Sequence, residues 1–271
     1  MSPLEDTWHD IILKAIRGLA LDQKSLAQAS SVKEEKIASL LQGFRNDATL
    51  VAIAPALGLH PRELVMVARG LSHPPLTTLP KNVQRFTTLY HDMPVHSYLL
   101  WSERTQQAVA FDTGTEITPL LKTLNDYQLD LVAIFLTHAH CDHVLKLSEL
   151  QAKTKAKAWM DHRELLEGTE PLLADFSFAL DDQIDIEALS TPGHSPGGTT
   201  YLITGLSPLI AVVGDAIFSR SVGGMPPTAY THGLKNICQN ILMLPPSTLL
   251  APAHGPLTTV EEERLKNPFF A

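Results

Sequence analysis

Residues 137–143 read Thr-His-Ala-His-Cys-Asp-His, so three imidazoles and a carboxylate crowd into one short stretch. They follow "LVAIFL" (131–136), a continuous apolar run of the kind that forms a buried strand. A strand with such a sequel delivers polar side chains to its carboxyl end, where a loop turns them toward a common centre. Imidazole and carboxylate oxygen are ligands for borderline ions such as zinc, and neutral imidazole binds without first losing a proton at pH 7. The alternate residues His138 and His140 are placed to face one ion. Asp142 and His143 fall on the other side of the turn, toward a second site.

Three distant segments repeat the pattern. "STPGHSPGG" (190–198) offers His194 in a Gly/Pro-rich turn, "IAVVGDAIF" (210–218) puts Asp215 after the most apolar strand, and "LLAPAHGP" (249–256) puts His254 after another. A lone buried histidine is usually a satisfied core residue. Five with two aspartates, all at strand ends, mean that one edge of a sheet is collecting ligands.

From Val83 onward strands alternate with helices. "SYLLW" and "QAVAFD" predict a hairpin, "TPLLKTLNDY" and "LKLSELQAKT" predict helices, and "AKAWM", "IDIEALST" and "TTYLIT" predict strands before the helix "LKNICQNILML". This is an α/β domain over 83–271 with helices covering sheets. Residues 1–70 are different, with short helices and little strand character. "WHDIILKAIRGLA" (8–20) sets Ile11, Ile12, Ala15, Ile16 and Leu19 on one face, and Pro61 and Gly70 bracket the last helix. "LSHPPLTTLPKN" (71–82), with three prolines, marks the linker.

Composition narrows the functions. Residues 1–72 hold eight Lys/Arg and eight Asp/Glu, whereas 73–271 hold thirteen against twenty-one, so the second part carries the whole net charge of −8. An acidic body repels a phosphate backbone, and nucleic acid is not its expected substrate. The start "MSPLEDTWHD" lacks the layout of a secretory leader, no apolar run is long enough to span a bilayer, and two cysteines fit a reducing compartment. The expectation is a cytoplasmic protein with no membrane partner.

"THAHCDH", "TPGHSPGG", "GDAIF" and "PAHGP", in that order, resemble the metallo-β-lactamase-fold superfamily, and "AFDTG" (110–114) matches the strand and turn that commonly precede its metal motif. The resemblance implies an αββα sandwich with two divalent ions at one edge, zinc first, with iron or manganese as alternatives. It implies that His138, His140 and His194 hold one ion, that Asp142, His143 and His254 hold the other, and that Asp215 bridges them. The implied chemistry is attack on a carbonyl by a metal-bridging hydroxide, with Asp142 and Asp215 as the catalytic carboxylates. That hydroxide needs no protein nucleophile.

Within the superfamily, "LPPSTLLAPAHGPLTTVEEERLKNPFF" resembles the short hydrolases related to glyoxalase II, which implies a small-molecule acyl substrate, a thioester of the hydroxyacylglutathione kind or a related ester or lactone. Two departures are visible. The chain stops at Ala271, without the further helices that grip glutathione in full-length glyoxalase II, and Leu145 and Lys146 stand where the family often has two glycines. The related persulfide dioxygenases share the residue set and imply one iron held by His138, His194 and Asp215.

The front helices resemble a phage-repressor helix-turn-helix domain. Its recognition helix would begin Lys33-Glu34-Glu35-Lys36, and two glutamates facing phosphate favour packing or homodimerisation over DNA. A metabolite-responsive DNA-binding regulator is the third functional class. Cys141 is expected to be a small buried side chain, His96 a core hydrogen-bonding residue, His232 a helix-start cap, and Ser219 to Met225 a cleft wall.

Overall fold

A computed structural model describes residues 3–173 and 175–271. Five short helices come first: α1 (Trp8–Gly18), α2 (Gln23–Ser30), α3 (Glu34–Leu41), α4 (Asp47–Ile53) and α5 (Pro61–Ala68). Their starts are the expected ones. Thr7 and Asp10 cap α1 reciprocally, Asp22 and Asn46 cap α2 and α4, and Pro61 sits in the first turn of α5, where its missing N–H costs nothing.

Strands β1 (Val83–Tyr90) to β6 form the first sheet in sequence order. β2 (Met93–Trp101) and β3 (Gln107–Phe111) complete an antiparallel meander, with the expected hairpin between them, and β4 (Asp130–Phe135), β5 (Lys157–Asp161) and β6 (Thr169–Leu172) add parallel strands. Helices α6 (Thr118–Asp126), α7 (Cys141–Val144) and α8 (Leu147–Thr154) belong to the crossovers. The second sheet is built from β7 (Ser177–Ala179), β8 (Asp185–Ser190), β9 (Thr199–Thr204) and β10 (Ile210–Gly214). A small ribbon, β11 (Ile217–Phe218) and β12 (Ser221–Val222), and helix α9 (Pro227–Asn236) precede its last strands, β13 (Leu249–Pro252) and β14 (Thr258–Thr259); helix α10 (Val260–Lys266) follows.

The two-residue side-chain period explains the layering. Ile210 and Val212 of β10, with Leu249 and Ala251 of β13, face the first sheet and meet Val109, Phe111, Ala133 and Phe135. Their neighbours Ala211, Val213 and Leu250 face outward. On the far side of the first sheet, Ala108, Ala110 and Ile134 meet Leu120 and Leu124 of α6 and Leu150 of α8. The result is an αββα sandwich, as expected.

The outward face of the second sheet meets more than α9. Ala211, Val213 and Leu250 share one apolar cluster with Met225, Tyr230 and Ile237, and that cluster continues without a break through Ile11, Ile12 and Ala15 of α1 to Leu26, Ile37, Leu50 and Leu64. Polar contacts follow the same boundary. Buried Arg220 pairs with Glu262 and Glu263 of α10 and donates to the Ser72 hydroxyl at the start of the Pro-rich segment, while Lys14 of α1 pairs with Asp6 and donates to the Val222 carbonyl.

Candidate metal centre

The parallel pairs β3–β4 and β10–β13 bring the carboxyl ends of four strands to one edge. Asp112 follows β3, Thr137 to His143 follow β4, Asp215 follows β10 and His254 follows β13; His194 comes from the loop between β8 and β9. All seven residues singled out in the sequence converge there. Ligand atoms of His138, His140, His194 and Asp215 lie within 4.8 Å of one another, and so do those of Asp142, His143 and His254.

The separations carry chemical information. Asp215 Oδ2 lies 3.4 Å from His194 Nε2, while its Oδ1 lies 3.5 Å from both His143 Nε2 and His254 Nε2. Asp142 Oδ2 is 3.4 Å from His254 Nε2 and 3.6 Å from His143 Nε2. Ligand atoms held about 2.1 Å from one ion in a tetrahedron stand about 3.4 Å apart, so these gaps are ion-sized rather than hydrogen-bonded. Asp215 divides its two oxygens between the two groups.

Second contacts orient each ring. His138 Nδ1 is 3.1 Å from the Thr137 hydroxyl, His143 Nδ1 donates to Asp112 Oδ2 at 2.8 Å, His194 Nδ1 donates to the Gly224 carbonyl at 2.8 Å, and His254 Nδ1 donates to the Pro94 carbonyl at 2.8 Å. Each leaves Nε2 bare and aimed at the centre, the arrangement that suits a ligating imidazole. His140 is turned the other way, with Nδ1 3.0 Å from His138 Nε2 and 2.9 Å from His194 Nε2. His143 Nε2 and Asp215 Oδ1 are buried without a hydrogen-bond partner among the described residues. Orphaned polar atoms of that kind are costly unless something else engages them, and a cation between the two fits both.

The charges are strongly coupled. Burial disfavours the charged form of Asp215, but His143, His254 and His138 outweigh it and hold the carboxyl well below the usual range. Burial likewise pushes His143 down, yet Asp112 and Asp215 raise it well above an ordinary histidine. His138 and His194 are lowered, burial being the main cause in each. Without an ion, His138 and His194 in the first group are thus biased toward the neutral ring, and His143 in the second toward the protonated one.

Several further residues take part. Asp112, 2% exposed, accepts from the Thr137 amide at 2.7 Å and from its hydroxyl at 2.8 Å as well as from His143, so it ties the strand end to the ring. It lies within "AFDTG", and a positive φ of 57° for an aspartate that must reach across to β4 is the physical trace of that role. His96 is a core hydrogen-bonding residue, between the Thr87 hydroxyl and the Gly255 carbonyl at 3.0 Å each, and burial with Arg85 nearby pushes it to about 4. The segment 219–225 does flank the site. At Gly223 a Cβ would overlap the Asp215 carbonyl oxygen and stand 2.9 Å from His194 Nδ1, so glycine is required by the protein's own backbone. Two expectations fail. Cys141 is exposed, because it opens α7 on the side away from the ligands' centre, and His232 lies exposed inside α9, which begins five residues earlier at Pro227. Among the described residues, no helix is long and apolar enough to cross a membrane.

Comparison with known proteins agrees with this geometry. The family model of the metallo-beta-lactamase superfamily matches residues 92–263. The probable metallo-hydrolase YqgX of Bacillus subtilis is 32% identical over 199 residues, covering 64% of this chain and 91% of its own. The hydroxyacylglutathione hydrolase GloC of Haemophilus influenzae is 25% identical, covering 63% and 90%, and the human mitochondrial persulfide dioxygenase ETHE1 is 28% identical, covering 64% and 70%. The crystal structure of the BLEG-1 B3 metallo-beta-lactamase superposes with a TM-score of 0.61 at 26% identity, covering 70% of this chain and 99% of that one.

Proposed function

The chain belongs to the metallo-beta-lactamase superfamily, and on that premise we propose that it is a binuclear metallo-hydrolase acting on a small acyl substrate, a thioester foremost. One observation carries the reading: Asp215 splits its oxygens between two groups of ion-spaced donors, 3.4 Å from His194 on one side and 3.5 Å from His143 and His254 on the other. His138, His140 and His194 would hold one ion and Asp142, His143 and His254 the other, with Asp215 available to both. When bound, a pair of divalent ions brings water near the pKa needed for a hydroxide nucleophile at neutral pH and polarises a carbonyl oxygen.

The chain's own residues supply the order. Asp112, Thr137, Gly224 and Pro94 fix the orientations of four of the five rings, those of His143, His138, His194 and His254. Asp142, buried beside His143 and His254, is placed to orient a nucleophilic water as well as to ligate. The resemblance to GloC supports a thioester, and zinc suits the His/Asp donor set. The front helices serve packing: α1 is seated in the cluster shared with the second sheet, and the exposed Lys33–Lys36 surface offers as many acids as bases.

The experiment is metal quantification on the purified protein, followed by a thioester and lactone panel on the same sample. Two ions per chain and thioester hydrolysis, both lost in Asp215→Ala, are expected. Hydrolysis retained by a metal-free Asp215→Ala protein overturns the mechanism. One iron per chain with oxygen uptake on a glutathione persulfide moves the protein to the dioxygenase chemistry named for its human relative.

A further inference from the structure

The family match starts at residue 92, yet residues outside it reach the edge of the metal centre. The segment Pro3–Glu5, ahead of α1, runs against the loop that carries His254. A Cβ on Gly255 would stand 3.1 Å from the Glu5 amide nitrogen and 3.3 Å from its Cβ, and Glu5 is close enough to His254 and Asp215 for each to feel its charge. Between this segment and the tip of the β1–β2 hairpin lies a cavity of about 490 Å³, a volume ordinary for a small-molecule site.

The lining has a definite chemistry. Leu4 and Met93 are its apolar walls, and Glu5, Arg85 and Asp92 are its charges. Arg85 shares its strand face with Thr87, whose cross-strand partner is His96, so the guanidinium belongs to the open end of the space between the sheets. On its other side Arg85 borders the Pro-rich segment His73–Thr77. Among the described residues, none of Glu5, Arg85 and Asp92 has an opposite charge within 4.0 Å. One cation and two carboxylates share a cavity without neutralising one another. Such a set is complementary to a ligand that carries both signs close together.

We propose that this cavity, completed by the N-terminal segment, is a subsite for a small zwitterion of the amino-acid type, with Arg85 engaging its carboxylate and Glu5 with Asp92 its ammonium. The proposal rests on the hydrolase reading in that the bound group is the portion of substrate remote from the scissile carbonyl. The cavity is lined by Gly255, the chain neighbour of His254, and by Pro94, whose carbonyl accepts from the His254 ring. The extra segments thereby act in substrate selection, a role for which the sandwich alone has no residue at Glu5.

The test uses four thioethers without an ester or thioester bond: S-benzylcysteine, its N-acetyl derivative, its carboxamide and the doubly blocked compound. Calorimetric titration into the metal-loaded full-length protein is expected to show the zwitterion bound roughly tenfold more tightly than either singly blocked compound. Arg85→Gln should erase the penalty of the carboxamide, and Glu5→Gln that of N-acetylation, with Asp92→Asn as a second variant on the ammonium side. Metal content and Tm verify folding. Four equal affinities in the parent protein overturn the proposal, as do unchanged preferences in folded Arg85→Gln and Glu5→Gln. Binding here is independent of turnover. A zwitterion preference without any thioester hydrolysis would remove the reaction and keep the subsite; hydrolysis with a flat series would do the reverse.

Discussion

Replacing Asp112 by Asn changes one atom in a buried carboxyl that serves three donors, and the consequence can be followed atom by atom. Oδ1 accepts the Thr137 amide at 2.7 Å, a backbone donor that cannot turn away, so the remaining oxygen stays there. The new NH₂ then faces the Thr137 hydroxyl and His143 Nδ1, which are 2.8 Å from the present Oδ2. Two donors cannot share that line. To accept from the amide, His143 must carry its proton on Nε2, the atom otherwise bare toward Asp142 and Asp215. The group formed by Asp142, His143 and His254 should therefore lose about 10- to 100-fold in ion affinity, roughly 1.4–2.7 kcal/mol. Folding stability should fall by about 1–3 kcal/mol for the compromised buried hydrogen bonds. Zinc titration of the metal-free variant by calorimetry should show one site within threefold of the parent and one weakened. Two undiminished sites, or weakening confined to the group of His138, His140 and His194, would refute the reasoning.

Other outcomes follow from the same geometry. Without an ion, His143 is raised well above an ordinary histidine and His254 is raised too, whereas His138 and His194 are lowered. Ion binding at the His143/His254 group must expel protons, so its affinity should fall as pH drops below their raised pKa values, while the other group holds its ion into more acidic solution. Proton release counted by titration in buffers of different ionisation enthalpy checks this, and equal pH dependence at both sites contradicts it. Arg220→Ala leaves Glu263, fully buried, without its cation and should cost about 3–5 kcal/mol in urea unfolding; a change below 1 kcal/mol would show that the pair is dispensable.

The ligands were legible because each follows an apolar strand at short range, and strand ends in a parallel arrangement must converge. Asp112 was harder to read, since its value depends on register: β3 pairs with β4 so that Phe111 stands beside Phe135, which brings the side chain of the next residue within reach of the Thr137 amide. Cys141 is exposed because, on the one-turn helix α7, Asp142 and His143 take the inward side and the first residue is left facing solvent. For His232 the helix started earlier than its apolar run, at Pro227, whose ring fits a first turn. The front helices were visible from their caps and periodicity. Their seat over the second sheet was not, because the cluster that joins Ile12 and Ala15 to Val213 spans about two hundred residues and leaves no local signature.

That seat has an effect on cooperativity. An apolar cluster that runs unbroken from Leu26 through Ala15 to Val213 has no internal plane of weakness at which the helices could peel away cheaply. Removing the helices ahead of β1 would uncover the part of this cluster that α1 seals, at Tyr230 and its neighbours, on the same side of the sheet as the apolar face of β10 and β13. Helices and sheet should melt in a single transition, and a swap of the front module for an unrelated one would fail unless the newcomer brought its own apolar lid.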